Sequence, residues 1–335
     1  MVISLLNKHA TYFDCASWPE ISKVLSLGVD PSRIIFAHPR KDHKQARKAV
    51  SHGIQTMTFD GIEELDKAKK YFPSAKVIIR IAPDDSGSSC RLSSKFGCGR
   101  PYVTGEELID HAYNLGLDVV GVSFHIGSGS SDPEAFSAAL QSTRELFDYA
   151  ATLGYDLKTV DIGGGFTDEK FEDMAEVINN ALEEYFPSPN VRIIAEPGRL
   201  FVGTAYHLAT KVTGARAVHC PGPEDPEINI DCNDGKYGTL SNLVADHQER
   251  TPKIIRKSNP SNAETRYKIW GPSCDAWDDI TSCTLPGVLG YGDWLLYEDM
   301  GAYTACCATD FNGMPKARVL YTSSECGASA LLGWI

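Results

Sequence analysis

Three short clusters hold the residues best suited to chemistry. They are Ser123-Phe124-His125-Ile126-Gly127-Ser128-Gly129, Asp161-Ile162-Gly163-Gly164-Gly165-Phe166 and Ala195-Glu196-Pro197-Gly198-Arg199. Each closes a β-like run. A triple glycine lets backbone approach an anion closely, and it reads here as running straight into a helix whose N-terminal N–H groups favour a phosphate. Arg199 could add a bidentate clamp. Taken singly, a Gly-rich turn or a lone strand histidine is as readily structural. Three such clusters at equivalent places in successive units point to one site. Farther along, Trp270-Gly271-Pro272-Ser273-Cys274-Asp275 sets a thiol beside a carboxylate in a Gly/Pro turn. Asn233-Asp234-Gly235-Lys236-Tyr237-Gly238 and Glu298-Asp299-Met300-Gly301-Ala302-Tyr303 are further polar loops. Composition alone makes Cys274 an ordinary buried cysteine and Asp246-His247 a solvated surface pair.

The elements that must position these clusters alternate. Up to residue 204, β-like runs at 12–17, 34–39, 56–60, 76–82, 119–127, 159–166 and 191–199 are separated by amphipathic stretches such as 130–153 and 169–186. Strands alternating with helices mean βαβ units, and the apolar strands suit a parallel sheet covered on both faces. About seven units are counted, whereas a closed barrel needs eight. Residues 2–9 read as the tail of a helix that precedes the first counted strand. The expected fold is therefore α/β, a (β/α)8-type barrel lacking its first strand over residues 1–204. A mainly antiparallel β domain follows over 205–335, with β-like runs at 207–212, 228–231, 267–270, 293–297, 302–308 and 317–322. A loop is expected at 220–227 and a polar stretch at 249–264.

The 335 residues carry 32 basic and 44 acidic side chains, a net charge of −12. Such a surface is poorly suited to nucleic-acid phosphates or anionic lipid. No apolar run approaches the ~18 residues of a bilayer span, and no signal peptide is read, so neither a membrane nor a nucleic-acid partner is expected. The ten cysteines include no CxxC pair. Neither a metal site nor a disulfide scaffold is expected; the thiols should be reduced, mostly buried, and cytoplasmic.

The ordered set FDCAS (13–17), CRLSSKFG (90–97), SFHIGSG, DIGGGF, AEPGR, NDGKYG, WGPSCD and EDMGAYT (298–304) resembles the eukaryotic ornithine decarboxylase family. That family belongs to the alanine-racemase-like class of pyridoxal 5'-phosphate enzymes. The resemblance spans the whole chain. It implies that Gly163, Gly164, Gly165, Gly198 and Arg199 cradle the cofactor phosphate, helped by Ser128 and Tyr303. It places Glu196 at the pyridine nitrogen, His125 on the ring, and Asp14 and Arg80 beside the imine. Cys274 would protonate carbon after carbon dioxide leaves, as a general acid. Asp246 and Asp275 would bind the distal ammonium of a basic amino acid. A homodimer with shared active sites is implied, with the Cys274 loop entering the partner's barrel mouth; Lys95 and Asp278 match positions that pair across that interface.

Two positions depart from the family pattern. The Schiff-base lysine of the family lies on the first barrel strand, which here falls before Met1; Lys8 is in the wrong register. The missing strand and the missing lysine are thus one segment. In the substrate pocket, Ala245 and Leu240 stand where aromatic residues are usual, so ornithine, lysine or a modified amino acid is the expected substrate. Two alternatives follow from the lysine: an inactive relative that regulates by heterodimerising with a full-length partner, or a pocket repurposed without Schiff-base chemistry.

Overall fold

The computed structural model describes residues 2–219, 222, 226–256 and 263–322. They fall into two compact units, one up to Pro197 and one from Gly198 onward.

The first unit is built on seven strands: β1 Phe13–Cys15, β2 Ile34–Phe36, β3 Thr56–Phe59, β4 Lys76–Arg80, β5 Asp118–Ser123, β6 Thr159–Asp161 and β7 Arg192–Ile194. They pair in sequential order and all in parallel. Sequential order is that of a barrel. A doubly wound sheet would reverse direction partway. The strands are short apolar runs, such as Val77, Ile78 and Ile79 in β4, all fully buried. Helices cover their outer face, and local chemistry starts them. Ser17 of FDCAS caps Trp18–Ser26, Asp42 accepts from Lys44 N and Gln45 N, and Thr104 with Glu107 forms a capping box.

The sheet curls far enough that the Arg192 guanidinium lies 4.2 Å over the Tyr12 ring. Yet no ladder joins β1 to β7 among the described residues. A seam remains between them, flanked by Tyr12 at 50 % and Ile193 at 38 % exposure. The helix Val2–Lys8 before β1 buries no residue fully. The expected seven-stranded, unclosed barrel is the observed one. One local expectation is corrected. The triple glycine does not run straight into a helix; a 3-10 turn at Asp168–Lys170 intervenes, and the helix starts at Phe171. Gly163 and Gly165 take φ of +63° and +107°, which turns the chain away from helical geometry first.

The second unit holds β8 Leu208–Ala217, β9 Ile228–Cys232, β10 Lys253–Arg256, β11 Glu264–Trp270, β12 Asp279–Pro286 and β13 Trp294–Tyr297. The sheet order is β10-β13-β8-β9-β11-β12. Four pairings are antiparallel and one, β9 with β11, is parallel. Leu208, Val212, Ile230, Tyr267, Ile269, Leu295 and Tyr297 form its core. The expected strand over 302–308 is absent. Tyr303 is left-handed (φ +54°) and Thr304 lies at φ −109°, ψ −101°, so the chain turns into a 3-10 helix, Ala305–Cys307. Residues 317–322 carry no regular structure. The loop expected at 220–227 and the polar stretch at 249–264 lie partly outside the described residues, and β10 runs within the latter.

Candidate active site

The mouth loops of the first unit are zipped together beyond the strand ends. Phe124 N donates to Asp161 O at 3.0 Å, and Glu196 N donates to Gly163 O at 2.7 Å. This brings the three sequence clusters side by side. The glycines are demanded by that packing. A Cβ on Gly163 would fall 2.2 Å from Phe124 O, and one on Gly164 would fall 2.8 Å from Glu196 O and 2.9 Å from His125 Nε2. Gly198 is different, because a Cβ there would meet nothing within 4 Å.

Four charged groups converge at the mouth. Arg80 ends β4, with its guanidinium 5.1 Å over the Phe96 ring of CRLSSKFG. That loop is held by Asp85, which accepts from Leu92 N at 2.6 Å and Ser93 N at 2.8 Å. Glu196, Asp14 and Asp161 surround Arg80 at the mouth, and Asp60 is a fourth carboxyl acting on the guanidinium. Burial and Asp161 push Asp14 up to about 7, although the residue is exposed to solvent. Burial raises Asp161 to about 6, while Gly163 N donates to its Oδ1 at 3.0 Å. Glu196 is raised well above the carboxylate range by burial, by Asp14 and Asp161, and by a hydrogen bond shared with Asp161. Its Oε1 is buried with no hydrogen-bond partner among the described residues. Such an atom is costly unless a donor completes it. His125 is pushed down to about 4 by burial and Arg80, so its ring is neutral, and its Nδ1 accepts from Gly127 N at 3.0 Å.

In the second unit, Arg199 is ion-paired with Asp246, whose side chain is 3 % exposed. The Arg199 guanidinium lies 5.3 Å over the Tyr303 ring. The residue expected at the phosphate and one expected at the substrate ammonium are thus paired with each other. Elsewhere in the unit, Tyr237 OH donates to Asp275, lowering that carboxyl. Cys274 is exposed, and its N–H donates to Asn312 Oδ1 at 2.9 Å. Phe311 stacks on Tyr237 at 4.3 Å. Asp278 is 1 % exposed and accepts from Lys236 N at 2.7 Å and Ser273 N at 3.0 Å, so it ties NDGKYG to WGPSCD within the unit.

Two readings are corrected. Leu240 is fully buried in the β-sheet core, so it walls no open pocket; Ala245 is exposed. Nor are the thiols mostly buried. Of the eight described, Cys15, Cys98 and Cys232 are buried, while Cys274, Cys306 and Cys307 are exposed; Cys220 and Cys326 lie outside the described residues. Sequence reasoning also missed Lys41, whose buried ammonium donates to His38 O and Pro39 O at 3.2 Å and to Thr58 O at 2.5 Å. Burial lowers it to about 7.

The sequence profile of the pyridoxal-dependent decarboxylases, pyridoxal binding domain, matches residues 1–203. This chain belongs to that family. The decarboxylase is 44 % identical over 365 residues to an ornithine decarboxylase of Neurospora crassa, covering 99 % of this chain and 75 % of the relative. It is 42 % identical to antizyme inhibitor 2 of Xenopus laevis, over 96 % of this chain and 72 % of that one. Among solved structures, the arginine decarboxylase of Paramecium bursaria Chlorella virus bound to agmatine superposes with a TM-score of 0.86 at 35 % identity, covering 94 % and 84 % of the two chains. The mouth suits the family's cofactor. The buried Glu196 oxygen offers an acceptor that a pyridine N–H would satisfy, and the glycines let the mouth loops pack closely against one another.

Proposed function

We propose that this decarboxylase removes carbon dioxide from a basic L-amino acid and leaves the corresponding amine. The orphaned buried oxygen of Glu196 carries the reading. When bound, pyridoxal phosphate supplies an electron sink for the carbanion left by decarboxylation. Glu196 would face its ring nitrogen, handing it the proton that burial keeps on the carboxyl. Gly163, Gly164, Gly165, Ser128, Gly198, Arg199 and Tyr303 would hold the phosphate. Neutral His125 would lie against the ring without adding charge, and Asp14 with Arg80 would flank the imine side. A strand filling the β1–β7 seam would bring the imine-forming lysine.

Cys274 would hold the proton returned to carbon, and Asp275 with Asp246 would meet the substrate's distal ammonium. Two carboxylates in one pocket are costly unless a cation meets them. A homodimer in which the Cys274 loop serves the partner's site is part of this reading. So is a cytoplasmic setting. The test is carbon dioxide release from ornithine, lysine and arginine, by this chain and by the chain mixed with a lysine-bearing relative. Cys274→Ala should lower kcat about 100-fold or more with little change in KM. No release from any substrate in either arm would sink the reading.

A second reading is favoured by the 42 % identity to antizyme inhibitor 2. It makes the chain a non-catalytic partner of a full-length relative. Sedimentation separates the two: a heterodimer without added turnover supports the regulator, and a homodimer with turnover supports the enzyme.

A further inference from the structure

The segment that carries Tyr303 ends in adjacent cysteines. Cys306 and Cys307 share the 3-10 turn Ala305–Cys307, both exposed, with their sulfur atoms 3.8 Å apart. The turn is clamped at its start. Thr304 Oγ1 donates to Met300 O at 2.7 Å, and Thr304 O accepts from Ser241 Oγ and Cys307 N, each at 2.8 Å. Just beyond it, Thr309 N donates to Tyr237 O at 2.8 Å. The two thiols thus sit between Tyr303, which faces Arg199, and Tyr237, which holds Asp275. Three other thiols are shielded: burial pushes Cys15, Cys98 and Cys232 up to about 12.

We propose that Cys306 and Cys307 form an oxidant-sensitive modification site that a peroxide closes to a vicinal disulfide, and that closure shifts Tyr303 and weakens anion binding at Arg199. The second half rests on the phosphate reading of Arg199 and Tyr303 given above; the first half does not. The Cys306 thiolate attacks a peroxide oxygen, the O–O bond breaks, a sulfenic acid forms, and the departing hydroxide takes a proton from solvent to become water. The Cys307 sulfur then attacks the Cys306 sulfur, the S–O bond breaks, the S–S bond forms, and a second water leaves. Two electrons pass from the thiols to the peroxide. Burial, the neighbouring Cys306 and Asp246 push the Cys307 thiol up, so the first attack is assigned to Cys306.

Closure must distort the turn. Adjacent Cα atoms stand about 3.8 Å apart, below the roughly 4.4–6.8 Å that disulfides ordinarily span. The ring so formed includes the peptide between the two residues, so the clamp at Thr304 cannot stay as it is. Distorted disulfides are the reducible ones, which makes the modification reversible by a dithiol.

The test uses the full chain with graded hydrogen peroxide, then alkylation and peptide mapping. The expected result is loss of both alkylation sites at 306 and 307 together, restored by dithiothreitol, before the buried thiols react. Phenylarsine oxide, which needs paired thiols, should block the same peptide in the reduced chain. Pyridoxal phosphate and inorganic phosphate should each bind about fivefold or more weakly after oxidation. The Cys306→Ser and Cys307→Ser variants should bind alike with and without peroxide. Alkylation of both residues persisting at doses that oxidise Cys274 would overturn the site. A mapped disulfide with unchanged affinity would overturn the coupling to Tyr303. A reduced wild type that binds neither ligand would defeat the phosphate reading alone, because the mapping stands apart from it.

Discussion

At the scale of single residues, what distinguishes the mouth is how little room its glycines leave. Gly163 is left-handed, and a Cβ there would collide with Phe124 O, a backbone atom that cannot swing away. Gly163→Ala should therefore cost about 1–3 kcal/mol and weaken cofactor binding. Gly198→Ala meets open space and should stay within about 0.5 kcal/mol of the parent. Urea unfolding of the two variants checks the contrast, and equal stabilities would refute the cradle. The Arg199–Asp246 pair makes a second demand. Asp246→Ala strands a guanidinium whose side chain is only 18 % exposed, which should cost about 3 kcal/mol. The double variant Arg199→Met with Asp246→Leu should regain much of that loss. If it is no more stable than Asp246→Ala, the pair is not what holds this part of the unit.

At the scale of elements, the seam between β1 and β7 sets the pattern of local stability. Both strands offer an unpaired parallel edge among the described residues, and the preceding helix Val2–Lys8 buries nothing fully. By contrast β3, β4 and β5 are flanked on both sides, and Met57, Val77, Ile79 and Val122 are fully buried. Hydrogen exchange should follow: amides of Val2–Lys8, β1 and β7 should exchange first, those of β4 last. Slow exchange in β1 would mean that its edge is covered.

The barrel strands were legible in the sequence because a doubly covered strand is a short apolar run between helical periods. The alternating sheet of the second unit was harder. The strand Asp279–Pro286 reads as polar because every second residue faces outward, and Lys253–Arg256 lies in a stretch too charged to stand out. The mistaken strand at 302–308 is apolar enough for a strand, but its turn is imposed by Gly301, where a Cβ would lie 1.6 Å from Val202 O. A contact a hundred residues away leaves no local trace. The same limit hid Asn312, Lys41 and Asp161's bond to Glu196. Their roles exist only once distant loops meet, whereas Glu196, His125 and the glycines stood in motifs at strand ends.

At the scale of the whole molecule, the three mouth carboxyls give folding a pH dependence opposite to the usual acid lability. Asp161 and Asp14 titrate near 6 and 7 in the fold, against about 4 in an unfolded chain, and Glu196 shifts the same way. Between those values the folded chain binds more protons than the unfolded one, so each step up in pH favours unfolding. The contribution of these groups is complete below about 4, declines through 6 and 7, and then levels off. The lowered His125 and Lys41 act in the opposite sense, but three raised carboxyls outweigh two lowered cations. The cofactor-free protein should therefore melt at a lower temperature at pH 8 than at pH 5.5. Asp14→Asn with Glu196→Gln should flatten that slope by removing two of the ionisations. Saturating pyridoxal phosphate should flatten it as well, because a ring-nitrogen proton gives ionised Glu196 a partner and ligand binding adds its own stabilisation. Thermal melts of the parent and the double variant across pH 5 to 8.5, with and without cofactor, decide it. A cofactor-free melting temperature that rises over this range would show that the carboxyls are ionised in the fold, and Glu196 would then have no proton to give.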